Sequence, residues 1–376
     1  MRTTVDVNND IIYWAISRAG YEPKDFYTLY PKTEDWLERN KKPTLAQLKK
    51  FSHKVHLPFG YLFLDQPPEE EMPIPYYRTL PGESNEVNLN VRETILTLQK
   101  RQDWLRDFLI KNGHDPLDYV GRFSRNSQIG SVIQDIRKSL GLDVKWASHL
   151  SNWQAALDQL AERVEDNGII IVFNSVVGNN THRPVSVEEC RGFVLTDEYA
   201  PFMFVNSADS KSAQLFTIVH ELAHIWIGES AGFDFRQLQP ANNDIEKFCD
   251  RVAAEFLVPE QAFREAWSHN QDFKILAKQF KVSQIVIARR ALDLGKINRD
   301  TFFEFYNNHI QQHFQKKKSQ ESGGDFYATL RKRLNLTFIS TVNRAVRENK
   351  LLHRDAYELT GLRGATYESA ITEYQL

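Results

Sequence analysis

Apolar side chains recur at three- and four-residue spacing along most of this chain, and one central stretch departs from that rhythm. Short helices are predicted over 11–19, 23–30, 33–40 and 45–55. Asp10, Thr33 and Thr44 stand where side-chain caps belong, while Gly20, Pro31 and Pro43 interrupt the runs. Gln66-Pro67-Pro68-Glu69-Glu70-Glu71-Met72-Pro73 then breaks the periodicity and reads as a linker. A long helix is expected over 91–112, with shorter ones over 129–140 and 153–166. After Asn167-Gly168 the period changes. Residues 169–173, 192–195 and 201–205 are short β-branched and aromatic runs bounded by turn formers, the pattern of a small antiparallel sheet. Helical spacing returns near Ser212 and runs to Phe314, where a Lys, Ser and Gly-rich break intervenes. Beyond it Phe326, Leu330, Leu334, Phe338, Val342 and Val346 form an apolar stripe. That stripe is expected to dock, since fifty helical residues alone lie near the limit of independent stability.

The expected class is α+β and mainly helical, with helical N- and C-terminal modules. Residues 1–66 read as a compact helical module and 67–124 as a linker with the long helix. Residues 125–270 form a mixed domain and 271–315 a helical extension. A flexible linker over 316–324 then leads to a C-terminal appendage over 325–376.

Composition narrows the function classes. Lys and Arg number 47 against 49 for Asp and Glu, so there is no overall cationic field to hold a polyanion. Cys190 and Cys249 are too few for a disulfide framework or a thiolate zinc site, and read as small core residues in a reducing compartment. No run approaches the roughly 20 apolar residues of a membrane span, so no membrane partner and a cytoplasmic location are expected.

The strongest chemical signal is His220-Glu221-Leu222-Ala223-His224, inside an apolar segment with no Gly or Pro until Gly228. On a helix the two imidazoles project from one side and can take adjacent corners of a tetrahedral ion. Glu221, one residue step round, faces the open position as general base rather than ligand. A third ligand is needed, and the next helical run offers Glu246 and Asp250, four apart beside the stripe of Ile245, Phe248, Val252 and Phe256. Either can bind the ion while the other holds a histidine Nδ1–H. Glu246 has a competing role, closing a capping box with Asn243, and Glu255 is expected to face solvent. His309 and His313 repeat the four-residue spacing without an acid between them and read as ordinary helix residues.

These residues resemble the ImmA/IrrE family of metallopeptidases. The resemblance rests on Arg191-Gly192-Phe193, the strand up to Asn206, Phe216-Thr217 before the histidine pair, and the helix running from Glu246 to Pro259. It spans roughly residues 125–300 and implies a zincin-like metallopeptidase core. His220, His224 and Glu246 would be ligands, Glu221 the base and Asp250 a supporting residue, although relatives commonly carry Asn at that last position. It implies zinc, with manganese as the alternative metal. It also implies a gluzincin-type endopeptidase in a prokaryote, acting on a partner protein such as a repressor encoded nearby, in a stress, phage or mobile-element circuit.

The N-terminal module looks like the XRE-type helix-turn-helix often fused to such peptidases. Its recognition position carries Glu34, Asp35 and Glu38, which repel phosphate. A second run from Leu276 to Arg290 has a similar cadence, and Arg289 and Arg290 are its candidate nucleic-acid or partner contacts. The competing function is therefore a DNA-binding regulator or antitoxin of a toxin–antitoxin pair, keeping its metal site for stability.

Overall fold

The computed structural model describes residues 3–70, 76–77, 88–233, 244–316 and 326–376, and the chain divides into two compact units. The capping role of Asn243 and the break beyond Lys316 lie outside the described residues.

The first unit takes in Met1–Pro73 and Ser84–Glu93. It contains α1 (Asn9–Arg18), α2 (Pro23–Leu29), α3 (Lys32–Leu37), α4 (Leu45–Lys54) and a short 3-10 turn over Phe59–Phe63. Ile11, Ile12, Ala15 and Ile16 of α1 pack with Phe26, Leu48 and Phe51 to form a core of its own. Thr44 and Gln47 close a reciprocal capping box at the start of α4. Asn8 rather than Asp10 caps α1, and Thr33 lies buried inside α3 instead of capping it. Both helices start one or more residues earlier than their apolar periodicity indicates.

The second unit takes in Ile74–Glu83 and Thr94–Leu376. Its elements in chain order begin with β1 (Tyr76–Tyr77), the part of α5 (Leu89–Lys111) from Thr94 onward, α6 (Ile129–Leu140) and α7 (Trp153–Asp166). Next come β2 (Ile170–Asn174), the hairpin strands β3 (Val176–Val177) and β4 (Asn180–Pro184), then β5 (Gly192–Leu195) and β6 (Phe202–Asn206). The helix α8 (Lys211–Ile227) and the strand β7 (Ala231–Phe233) precede α9 (Asp244–Leu257), α10 (Glu260–His269), α11 (Phe273–Phe280), α12 (Gln284–Asp293) and α13 (Arg299–Lys316). The C-terminal segment is α14 (Phe326–Leu334), α15 (Leu336–Arg347), α16 (His353–Thr360) and α17 (Ala365–Glu373).

The principal sheet has the order β1-β7-β5-β6-β2 and is mixed, which corrects the expectation of an antiparallel sheet. β5 turns back on β6 antiparallel, but β2 joins the far side of β6 in parallel, with Ile170 opposite Phe202. Side-chain periodicity does not encode strand direction, and the chain from Ser175 to Pro201, which includes β5, is long enough for a parallel return to β6. Every residue of β5 and β6 is buried. Ile171, Val194, Met203 and Val205 face the α8 core. On the opposite face Phe202 meets Phe338 of α15 at 5.7 Å and Phe193 stacks on Phe204 at 4.9 Å. Continuous apolar strands of this kind require cover on both sides.

The C-terminal segment is part of that cover. Asn335, at φ 65°, caps α15 and donates from Nδ2 to Ile171 O at 3.2 Å and to Glu165 Oε1 at 2.9 Å. Leu330, Leu334, Phe338 and Val342 are buried, as the apolar stripe requires.

From Thr217 to Ile227 every residue of α8 is buried, and its ends are closed locally. Ser210 accepts a hydrogen bond from Ala213 N–H at the N-terminus, and Gly228 at φ 75° terminates the helix in the left-handed region. Carbonyls of its last turn are taken by Gly121 N–H, which donates to Ile225 O at 3.0 Å, and Phe123 N–H, which donates to Trp226 O at 2.9 Å. A Cβ at Gly228 would stand 3.0 Å from Gly121 Cα, so the close crossing needs glycine.

Candidate metal centre

The helical spacing of His220 and His224 brings their Nε2 atoms to 3.2 Å from each other. α9 packs against α8 and delivers Glu246 from its first turn. Glu246 Oε2 lies 3.0 Å from His220 Nε2, and Oε1 lies 3.3 Å from His224 Nε2. All three side chains are fully buried. His220 Nδ1 lies 3.1 Å from Asp250 Oδ1, one turn further along α9. Of the two acids that spacing alone left open, Glu246 joins the histidine pair and Asp250 stands behind it.

Three donor atoms about 2.0–2.1 Å from a tetrahedral ion lie roughly 3.3 Å from one another. The two Nε2 atoms, 3.2 Å apart, match that spacing, and the Glu246 carboxylate spans both, with Oε2 3.0 Å from His220 Nε2 and Oε1 3.3 Å from His224 Nε2. The hydrogen-bond balance points the same way. Among the described residues, both carboxylate oxygens of Glu221 and Nδ1 of His224 are buried without a hydrogen-bond partner. Buried polar atoms are rarely left so, and a cation with its water satisfies most of these at once. The donor set of two imidazoles and a carboxylate therefore fits a divalent ion such as zinc.

The electrostatics describe a pocket that holds positive charge. Burial works against a charged His220, but its contacts with Asp250 and Glu246 outweigh burial and hold its pKa well above the ordinary value. Burial likewise works against the Glu246 carboxylate, and the His220 and His224 contacts reverse that and keep it ionised. Glu221, which has no such partner, is pushed by burial up to about 8. Burial also lowers the pKa of His224, which favours the neutral imidazole a metal requires.

Glu221 sits against the sheet as well as beside the histidines. A Cβ at Gly192 of β5 would stand 3.4 Å from Glu221 Oε1 and only 2.3 Å from Thr217 Cγ2. Gly192 and Thr217 therefore shape the wall of this site, a relation between residues 25 positions apart that no local pattern signals.

The other candidates are engaged elsewhere. Arg290 is 9% exposed, donates from Nε to Val258 O at 3.0 Å and is ion-paired with Glu255. That pair also corrects the expectation that Glu255 faces solvent. Arg289 pairs with Asp293 on its own helix at 3.0 Å. Arg290 thus serves the packing of α12, while Arg289 keeps to a pair on its own helix and stays partly exposed. His309 stacks on Phe305 at 5.5 Å, and the side chain of His313 lies outside the described residues.

Two histidines and a glutamate converge from adjacent helices, beside a buried glutamate without a hydrogen-bond partner, in a group that could hold a metal ion. Residues 165–292 match the peptidase family described as the IrrE N-terminal-like domain. The match takes in the whole cluster and runs through α12, so α11 and α12 fall in the same family segment as the site. Residues 336–373 match a separate domain of unknown function. No curated protein matches the chain. No described helix is long and apolar enough to cross a membrane.

Proposed function

We propose that this protein is a metal-dependent endopeptidase of the gluzincin type, acting on a partner protein. His220, His224 and Glu246 hold the ion, zinc or alternatively manganese. Asp250 fixes the His220 ring through Nδ1. The observation that carries this reading is the convergence of three buried donor atoms beside a Glu221 carboxylate that has no partner of its own.

When bound, a divalent ion supplies Lewis acidity toward a peptide carbonyl and brings the pKa of water toward neutrality. Glu221 is positioned to take a proton from water and return it to the departing amine nitrogen. Its raised pKa favours the proton-holding half of that cycle, while a nearby cation pulls the other way. The substrate class follows from the family resemblance, a transcriptional repressor or regulator encoded near this protein.

The test is metal removal. The full chain is stripped by a chelator, assayed against candidate partner proteins, and reloaded with one equivalent of zinc or manganese. Cleavage that vanishes on stripping and returns on reloading is expected. Cleavage that persists in the stripped protein would refute the proposal.

A further inference from the structure

On the face of the sheet turned away from the His–Glu cluster, the second unit carries another concave site. A narrow cleft, open to solvent, lies between α5, the strands and α14. Val172 and Phe204 give it an apolar side. Thr97 and Arg101 of α5, Asn179 of the β3–β4 turn and Arg333 of α14 supply its polar side. No acidic residue lines it.

Arg101 is 5% exposed. Its Nε donates to Leu359 O at 2.8 Å, and its guanidinium carbon stands 5.7 Å from the Phe338 ring centroid. Among the described residues its two Nη groups have neither a hydrogen-bond acceptor nor a carboxylate partner, and Arg333 also lacks an ion pair. Other buried arginines of this unit are provided for. Arg137 donates from Nη1 to Asp143 O and from Nη2 to Phe256 O, and Arg290 has Glu255 and Val258 O. Burial pushes the Arg101 guanidinium down to about 10, and Arg333 moves the same way, with no carboxylate acting against burial in either case. A buried guanidinium without an anion is costly, and its fork of donors matches a planar or tetrahedral oxyanion.

We propose that this cleft binds a small molecule through an oxyanion head group, a carboxylate or a phosphate. The head group takes the Nη donors of Arg101 and the charge of Arg333, and the Asn179 amide lies beside it. The open mouth leaves the rest of the ligand toward solvent. The domain of unknown function thereby acquires a role, because its Phe338 and Leu359 hold Arg101 in place.

The test uses the full chain and two probes, inorganic phosphate and succinate, titrated calorimetrically at fixed ionic strength against a chloride control. Saturable one-to-one binding of at least one probe is expected, with a rise in Tm of about 2 °C or more at saturation. Binding of phosphate alone assigns a phosphorylated ligand, and binding of succinate alone a carboxylate. Arg333→Gln is expected to weaken binding about tenfold while leaving the ligand-free Tm unchanged. Arg101→Lys should weaken it further, and if that variant fails to fold, Arg333→Gln decides. The proposal is overturned if neither probe binds saturably, or if Arg333→Gln binds both as the parent does.

Discussion

At Gly192 the chain leaves no space for a side chain, since a Cβ there would meet Thr217 Cγ2 at 2.3 Å and Phe204 O at 2.9 Å. Gly192→Ala is therefore expected to destabilise the protein by about 1–3 kcal/mol. Adding Thr217→Ser removes the methyl clash but not the carbonyl contact, so it should restore only part of the loss. Denaturant unfolding of the three variants checks this, and full recovery in the double variant would show that the backbone contact is immaterial. Residues whose role depends on their own helix were legible before folding. His220, Glu221 and His224 are neighbours by helical geometry alone. Glu246, the preferred ligand of the two acids on its helix, needs a second helix to approach, and His220 lies between it and Asp250. The Arg290–Glu255 pair was not legible, because a pairing across 35 positions leaves no periodic trace.

Among the elements, helices follow their 3.6-residue periodicity closely, and α6 and α7 have the expected limits. The β-branched and aromatic runs mark β2, β5 and β6, but not the parallel entry of β2, the β3–β4 hairpin, or the short strands β1 and β7. Val176 and Val177 are too short a run to stand out. The contact between α7 and the start of α15 carries its own pH dependence. Glu165 accepts a hydrogen bond from Asn335, and burial raises its pKa from 4.5 to about 7. The folded state thus binds its proton more tightly than the unfolded chain. The stabilisation is complete below pH 4.5 and is lost as pH rises toward 7. Comparing Tm of the parent and Glu165→Gln across that range isolates the effect. The Tm of Glu165→Gln relative to the parent should rise with pH, and a constant difference would remove Glu165 from the account.

For the whole molecule, the C-terminal segment is structural cover as well as the seat of a separate family match. Leu330, Leu334, Phe338, Ile339 and Val342 are each no more than 1% exposed. Removing such side chains exposes an apolar sheet face, each contributing about 1.5–3 kcal/mol of burial. Truncation after Ser322 is therefore expected to lower Tm by roughly 5 °C or more or to cause aggregation, as read by calorimetry and light scattering. A truncated protein that keeps the parent Tm and stays monodisperse would contradict the docking. The central claim concerns chemistry at Glu221, and it is tested most directly by one comparison. The parent and Glu221→Gln, matched for metal content by elemental analysis, are assayed for cleavage of the same partner protein. With one metal per chain in both, the variant is expected to lose activity by about 10²-fold or more. Cleavage by the metal-loaded variant at the parent rate would contradict the assignment.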